Sequence, residues 1–109
     1  MDVLNLAPTL RHQVALITGG GRGIGAGAAE ALARKGAHVI VASRTEAELA
    51  DTVARLRGAG LSGSAQVLDV ADEAAVAAAF AAIAAEFGRL DILVNNAALL
   101  CSGPFATLA

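Results

Sequence analysis

The sequence predicts an α/β fold, a doubly wound parallel sheet with helices on both faces. Three observations carry this expectation. Short runs of Val, Ile, Leu and Ala recur four times without polar alternation, as strands buried on both sides require. Segments with helical spacing separate them, which gives the order β-α-β-α-β-α-β. The first run ends directly in Gly19-Gly20-Gly21, and a helical segment follows at once. Right-handed crossovers then predict a sheet of about four strands in the order 3-2-1-4. Its switch point lies between the first and fourth strands, and ligands bind beyond the carboxyl ends of the strands at such a point.

Each element follows from its residues. Val14 to Thr18 is apolar and β-branched, and reads as the first strand. Ile24 to Lys35 reads as a helix with Ile24, Ala28, Ala31 and Leu32 as its apolar stripe, stopped by Gly36. Gly25 and Gly27 lower helix propensity there, so close packing is expected to require them. Val39 to Ala42 is the second strand. Thr45-Glu46-Ala47-Glu48 matches a capping box, and the helix it opens carries Leu49, Val53 and Leu56 and ends at Gly58. Gln66 to Val70 reads as the third strand. Asp72 is placed to cap a third helix whose stripe is Val76, Phe80, Ile83 and Phe87, with Gly88 as its end. Leu90 to Val94 is the fourth strand, followed by Asn95-Asn96. The stretch from Leu99 to Ala109 contains Gly103-Pro104 and reads as loop.

Composition narrows the function classes. The chain has 109 residues and 10.8 kDa, the size of one small domain. Hydrophobic residues make up 56% and aromatic ones 3%, so the core must be built from small aliphatic side chains and disorder is excluded. The net charge of -2 and pI near 5.5 leave no basic surplus for nucleic acid. Every apolar run is interrupted well before the length of a membrane span, and Met1 to Gln13 lacks the pattern of a signal peptide. A single cysteine, Cys101, cannot form an internal disulfide and suits a reducing compartment. A soluble cytoplasmic protein is expected. His12 and His38 have no second ligand at metal spacing, so no metal site is expected.

The chemistry is concentrated in Thr18-Gly19-Gly20-Gly21-Arg22-Gly23-Ile24-Gly25. It lies between a strand and a helix, where a phosphate loop belongs. Gly19 allows the chain to turn out of the strand. Gly23 leaves no side chain between a diphosphate and the backbone, and Gly25 allows the helix to approach the sheet. The helix N-terminus then offers N–H groups and a partial positive charge to the anion. Dinucleotide binding is the expected consequence.

This segment fits TGxxxGxG and resembles the motif of the short-chain dehydrogenase/reductase family, whose fold is Rossmann-like. Asp69-Val70 at the end of the third strand and Asn95-Asn96-Ala97 at the end of the fourth resemble two further motifs of that family, in the same order. The resemblance runs from about Val14 to the C-terminus. It implies that Gly19, Gly20, Gly21, Arg22, Gly23, Ile24 and Gly25 hold the cofactor diphosphate and adenosine ribose. It further implies that Asp69 accepts from the adenine amino group beside Val70. Asn96 and Ala97 would line the nicotinamide ribose, and Thr18 and Asn95 would tie the first strand to the fourth. Read singly, Asp69 is also an ordinary solvated strand-end carboxylate, and Asn95-Asn96 an ordinary turn.

Cofactor choice is expected to fall on NADP(H) over NAD(H). An NAD site places a carboxylate at the end of the second strand to accept from the ribose 2′-hydroxyl. Here that position is Ser43, followed by Arg44. A carboxylate would repel a 2′-phosphate, whereas Arg44 can clamp one, and the family resemblance implies that Arg22 lies near the same phosphate. Read singly, both arginines are also ordinary solvent-facing charges.

The family resemblance also implies a Tyr acid/base, a Lys four residues later, a Ser and an Asn for hydride chemistry. The sequence has no Tyr, and its only Lys is Lys35. No catalytic residue is therefore assigned. The expected function is the NADP(H)-binding portion of a longer short-chain oxidoreductase that moves hydride between nicotinamide and a carbonyl or alcohol. The alternative is a non-catalytic dinucleotide-binding module or a truncated inactive product. The fourth strand is expected to leave an exposed apolar edge, so the chain is expected to be marginally stable or to associate. A homo-oligomer is a corresponding expectation.

Overall fold

Val14–Thr18 forms strand β1, with all five residues buried, as expected of an apolar run at the centre of a sheet. The computed structural model describes residues 9–21 and 23–95. Within them the chain continues through helix α1 (Gly23–Arg34), strand β2 (His38–Ser43), helix α2 (Glu46–Gly58), strand β3 (Gly63–Val67), helix α3 (Glu73–Phe87) and strand β4 (Ile92–Asn95). The four strands form one sheet in the order β3-β2-β1-β4, and every pair is parallel. This is the Rossmann-like arrangement expected, with its switch point between β1 and β4.

Alternate residues of β1 serve two cores. Ala15 and Ile17 face Ala29 and Ala33 of α1 and Leu49, Val53 and Leu56 of α2. Val14 and Leu16 face Ala79 and Ile83 of α3. Two helices thus cover one face and one helix the other, as right-handed crossovers dictate. Leu93 pairs with Leu16 and so lies on the face that α3 covers, yet it is 50% exposed. Among the described residues β4 therefore ends the sheet with an exposed apolar residue, as expected of the fourth strand.

The helix ends follow their predicted signals at two places. Asp72 Oδ1 accepts from the Ala75 N–H at 3.1 Å and caps α3. Gly88 ends it with φ 74°, a left-handed conformation that favours glycine.

Other expectations are corrected. The third strand is Gly63–Val67, three residues earlier than Gln66 to Val70. Its ladder to β2 pairs Val39 with Gly63 and Ser43 with Val67. This strand sits at the sheet edge and alternates in exposure, so it carries no apolar run. The apolar signal at Leu68 belongs to a buried residue just beyond the strand. The apolar stripe of α1 is also different. Gly25, Ala26, Ala29 and Ala33 are buried, whereas Ile24 is 79% exposed. Small residues let the helix axis approach the sheet, and a reading weighted by bulk chose the wrong face by about one residue. Gly25 is buried as expected, but nothing lies within 4 Å of where a Gly27 Cβ would be, so close packing does not explain Gly27. Phe80 departs from its stripe and is exposed, while Val76 and Phe87 are partly buried beside Ile83.

The fourth strand begins at Ile92, not Leu90. Asp91 stands at the start of the ladder and uses its side chain there, with Oδ2 accepting from the Val14 N–H at 2.8 Å. Arg89 grips the same carboxylate through both oxygens and holds its pKa below the ordinary value. Asn96, Ala97 and the expected loop from Leu99 to Ala109 lie outside the described residues.

Candidate functional site

The carboxyl ends of β1 and β2, together with the turn after β3, surround a cleft of about 420 Å³. Six residues singled out in the sequence line it: Gly19, Gly21, Ser43, Arg44, Asp69 and Val70. They come from three separate segments, and the sheet order alone brings them to one place.

The glycine loop is shaped by contacts on both sides. Gly19 has φ 69° and donates its N–H to the Ala42 carbonyl at 2.7 Å, which turns the chain out of β1 over the end of β2. Gly20 lies so close to β2 that a Cβ would stand 2.7 Å from Val41 Cβ. A Cβ on Gly21 would stand 2.9 Å from Glu48 Cβ. Gly23 differs from both. Its φ is 60° and nothing lies within 4 Å of a Cβ built there, so a side chain would project into open space at the start of α1. The first turn of α1 holds no acidic residue, so the positive end of its dipole is not cancelled locally. Gly23 and Gly21 also border an adjoining groove of about 610 Å³ lined by Glu48, Asp51, Ala54 and Arg55. Ile24 stands exposed on the first turn. Arg22 lies outside the described residues.

At the end of β2, Ser43 Oγ accepts from the Thr45 N–H at 3.2 Å. That N–H is the donor a capping-box glutamate would have taken, and Thr45 makes no side-chain cap bond. The capping box expected from Thr45 and Glu48 is therefore not formed. Thr45 and Glu48 instead line the cleft. Arg44 is exposed and forms no ion pair with any described residue.

Asp69 lies two residues beyond β3 rather than within a strand. Its Oδ1 accepts from the Ala71 N–H at 2.9 Å, a local turn that holds the exposed carboxylate at the rim. The Leu68 N–H donates to the Ser43 carbonyl at 2.8 Å and keeps this turn against the end of β2.

Thr18 and Asn95 meet as the resemblance implied: the Thr18 hydroxyl lies 3.1 Å from Asn95 Oδ1. Asn96 and Ala97 are outside the described residues. Sequence reasoning missed Thr52, a buried residue of α2 whose hydroxyl donates to the Gly20 and Gly21 carbonyls. A signal was available, since Thr52 is the one polar residue among the buried positions Leu49, Thr52, Val53 and Leu56. Among the described residues no cluster of His, Cys, Asp or Glu could hold a metal ion, and no helix is long and apolar enough to cross a membrane.

Comparison with known proteins agrees with this geometry. The family model described as short chain dehydrogenase matches residues 13–109. The short-chain reductase NovJ of Streptomyces niveus is 49% identical over 89 residues, which are 82% of this chain and 34% of that protein. The chain thus spans about a third of the length of the curated relatives it matches. A metagenomic short-chain oxidoreductase solved in complex with NADP superposes with a TM-score of 0.79 at 34% identity, covering 83% of this chain and 40% of that one. An actinorhodin polyketide ketoreductase solved with NADPH gives a TM-score of 0.74 at 38% identity, covering 77% and 32%. With the sheet order, the glycine loop and the family match in agreement, the chain belongs to the short chain dehydrogenase family of nicotinamide-dependent oxidoreductases.

Proposed function

We propose that residues 1–109 act as one dinucleotide-binding unit that prefers NADP(H) to NAD(H). The observation that carries this reading is the shared cleft, which joins the glycine loop to Ser43-Arg44 and to Asp69-Val70. The residues fit the cofactor. The open space at Gly23, next to an α1 N-terminus without acidic residues, suits a diphosphate. Gly19, Gly20, Gly21 and Gly25 shape the loop, and Ile24 offers an exposed apolar surface beside it. Arg22 and Arg44 would hold the 2′-phosphate, with Ser43 in place of the carboxylate that would repel it. Asp69 would accept from the adenine amino group. Asn96 and Ala97 would complete the nicotinamide ribose side.

The NADP and NADPH held by two of the structural relatives support the same choice. When bound, the cofactor supplies the hydride. This chain's own part is to bind and orient it. Hydride transfer to or from a carbonyl or alcohol is proposed for a protein that joins this unit to a Tyr and Lys acid-base pair. Titration of the chain with NADPH and NADH, followed by nucleotide fluorescence, tests the reading. Tighter binding of NADPH is expected. Equal or tighter binding of NADH refutes the preference, and no association with either refutes the site.

A further inference from the structure

The glycine loop has a fastening point that its own sequence does not reveal. Thr52 is 2% exposed on the inner face of α2. Its Oγ1 lies 3.1 Å from the Gly20 carbonyl oxygen and 3.2 Å from that of Gly21, more than 30 residues away in sequence. A helical threonine commonly turns its hydroxyl back to a carbonyl of its own preceding turn. Here the hydroxyl is spent on the loop. We infer that the Thr52 hydroxyl is the positioning group that sets Gly20 and Gly21 for dinucleotide binding. This rests on the reading of the cleft given above.

The physical argument concerns the direction of peptide dipoles. The two carbonyl oxygens are the negative ends of the loop, and a diphosphate is an anion. One buried donor draws both oxygens toward α2. In a planar trans peptide the N–H points opposite to the C=O, so drawing in the Gly20 carbonyl turns the Gly21 N–H the other way. The steric contacts agree: Val41 supports Gly20 from below, and Glu48 closes on Gly21 from the α2 side. Small glycines give the loop its freedom, and Thr52 removes it. Without the hydroxyl, two buried carbonyls lose their donor while the loop remains free to choose other peptide orientations.

Three variants test this: Thr52→Val, which keeps the shape and removes the donor; Thr52→Ser, which keeps the donor; and Ile83→Val, a core change on the opposite face of the sheet. Each is titrated with NADPH, with folded fraction followed by circular dichroism and the amide signals of Gly19, Gly20 and Gly21 by NMR. Thr52→Val is expected to weaken NADPH binding about tenfold per folded molecule and to move those amide signals. Thr52→Ser is expected to restore both, and Ile83→Val to leave affinity within about twofold despite lower stability. Unchanged NADPH affinity in folded Thr52→Val, or failure of Thr52→Ser to restore it, overturns the role of Thr52 while the site reading stands. If the unsubstituted chain binds neither NADPH nor NADH, the site reading falls and takes this inference with it.

Discussion

The Thr18 hydroxyl lies 3.1 Å from Asn95 Oδ1 and 3.3 Å from the Val94 carbonyl oxygen, so one buried side chain fastens the carboxyl end of β1 to that of β4. The two residues also end the ladder between these strands. Within the described sheet, β4 has a neighbour on one side only, which makes this fastening matter more than the same bond would in a central strand. Replacing Thr18 by Val keeps the shape and removes the donor. The expected loss is about 1 kcal/mol of unfolding free energy by urea titration. Amide exchange should accelerate in β4 more than in β2.

Two glycines of the loop should fail in different ways. Gly20→Ala drives a methyl group into Val41, where the backbone oxygen of Ile17 leaves no escape at 3.0 Å. It should destabilise the fold by about 1–3 kcal/mol. Gly23→Ala meets no neighbour and bears only the strain of a positive φ, about 1–2 kcal/mol. Its methyl group enters the space proposed for the diphosphate. NADPH affinity per folded molecule should therefore drop more for Gly23→Ala than its melting temperature alone explains.

Arg44→Asp should reverse cofactor choice. The substitution removes the cation proposed for the 2′-phosphate and introduces the carboxylate that would repel it. NADPH affinity should fall at least about tenfold, with NADH affinity held or improved. Equal losses for the two nucleotides would show that Arg44 does not read the 2′-phosphate.

His38 gives the fold a pH dependence at the end of the sheet away from the cleft. Its ring packs against Phe87 with centroids 4.8 Å apart and bonds to Ser62 Oγ and Ser64 Oγ. Burial lowers its pKa from the ordinary 6.5; Glu86 opposes that shift and Arg57 adds to it. The unfolded chain therefore binds the proton more readily than the folded one. Stability is full above 6.5 and declines as pH falls through 6.5 toward the folded value. The melting temperature should fall between about pH 7.5 and pH 5.5. That fall should shrink in His38→Gln.

The exposed Leu93 should promote self-association. Among the described residues it sits on a strand with a neighbour on one side only, the kind of edge that invites pairing with another chain. Sedimentation velocity should show mass rising with concentration for the unsubstituted chain, and Leu93→Lys should suppress the rise. A single monomer species at all concentrations would contradict the expectation.

Much of the architecture was legible in the residues. β1 was read to its ends because a central strand buried on both faces has no polar interruption. Asp72 and Gly88 marked the limits of α3 because capping is a local interaction. The site was half legible. Gly19, Gly21, Ser43, Arg44, Asp69 and Val70 were each named from motif or chemistry, and they line one cleft. Thr45 was read correctly as the N-cap residue of α2, but the capping-box bonds to it are not made, because Ser43 Oγ accepts from the Thr45 N–H and Thr45 makes no side-chain cap bond.

The sequence by itself determined the kind and order of the elements and the position of the loop, because hydrophobic spacing and glycine act within a few residues of themselves. Tertiary structure decided three other things: where β3 begins, which face α1 buries, and what holds the loop. Each depends on a distance to a partner far along the chain. Gly63 starts β3 because it pairs with Val39 and leaves room for Leu56, whose Cδ1 would stand 2.7 Å from a Cβ there. Ala29 and Ala33 face the sheet because small side chains let the helix come close. Thr52 serves the loop because α2 packs beside it, and only the assembled fold brings that hydroxyl within 3.2 Å of both carbonyl oxygens.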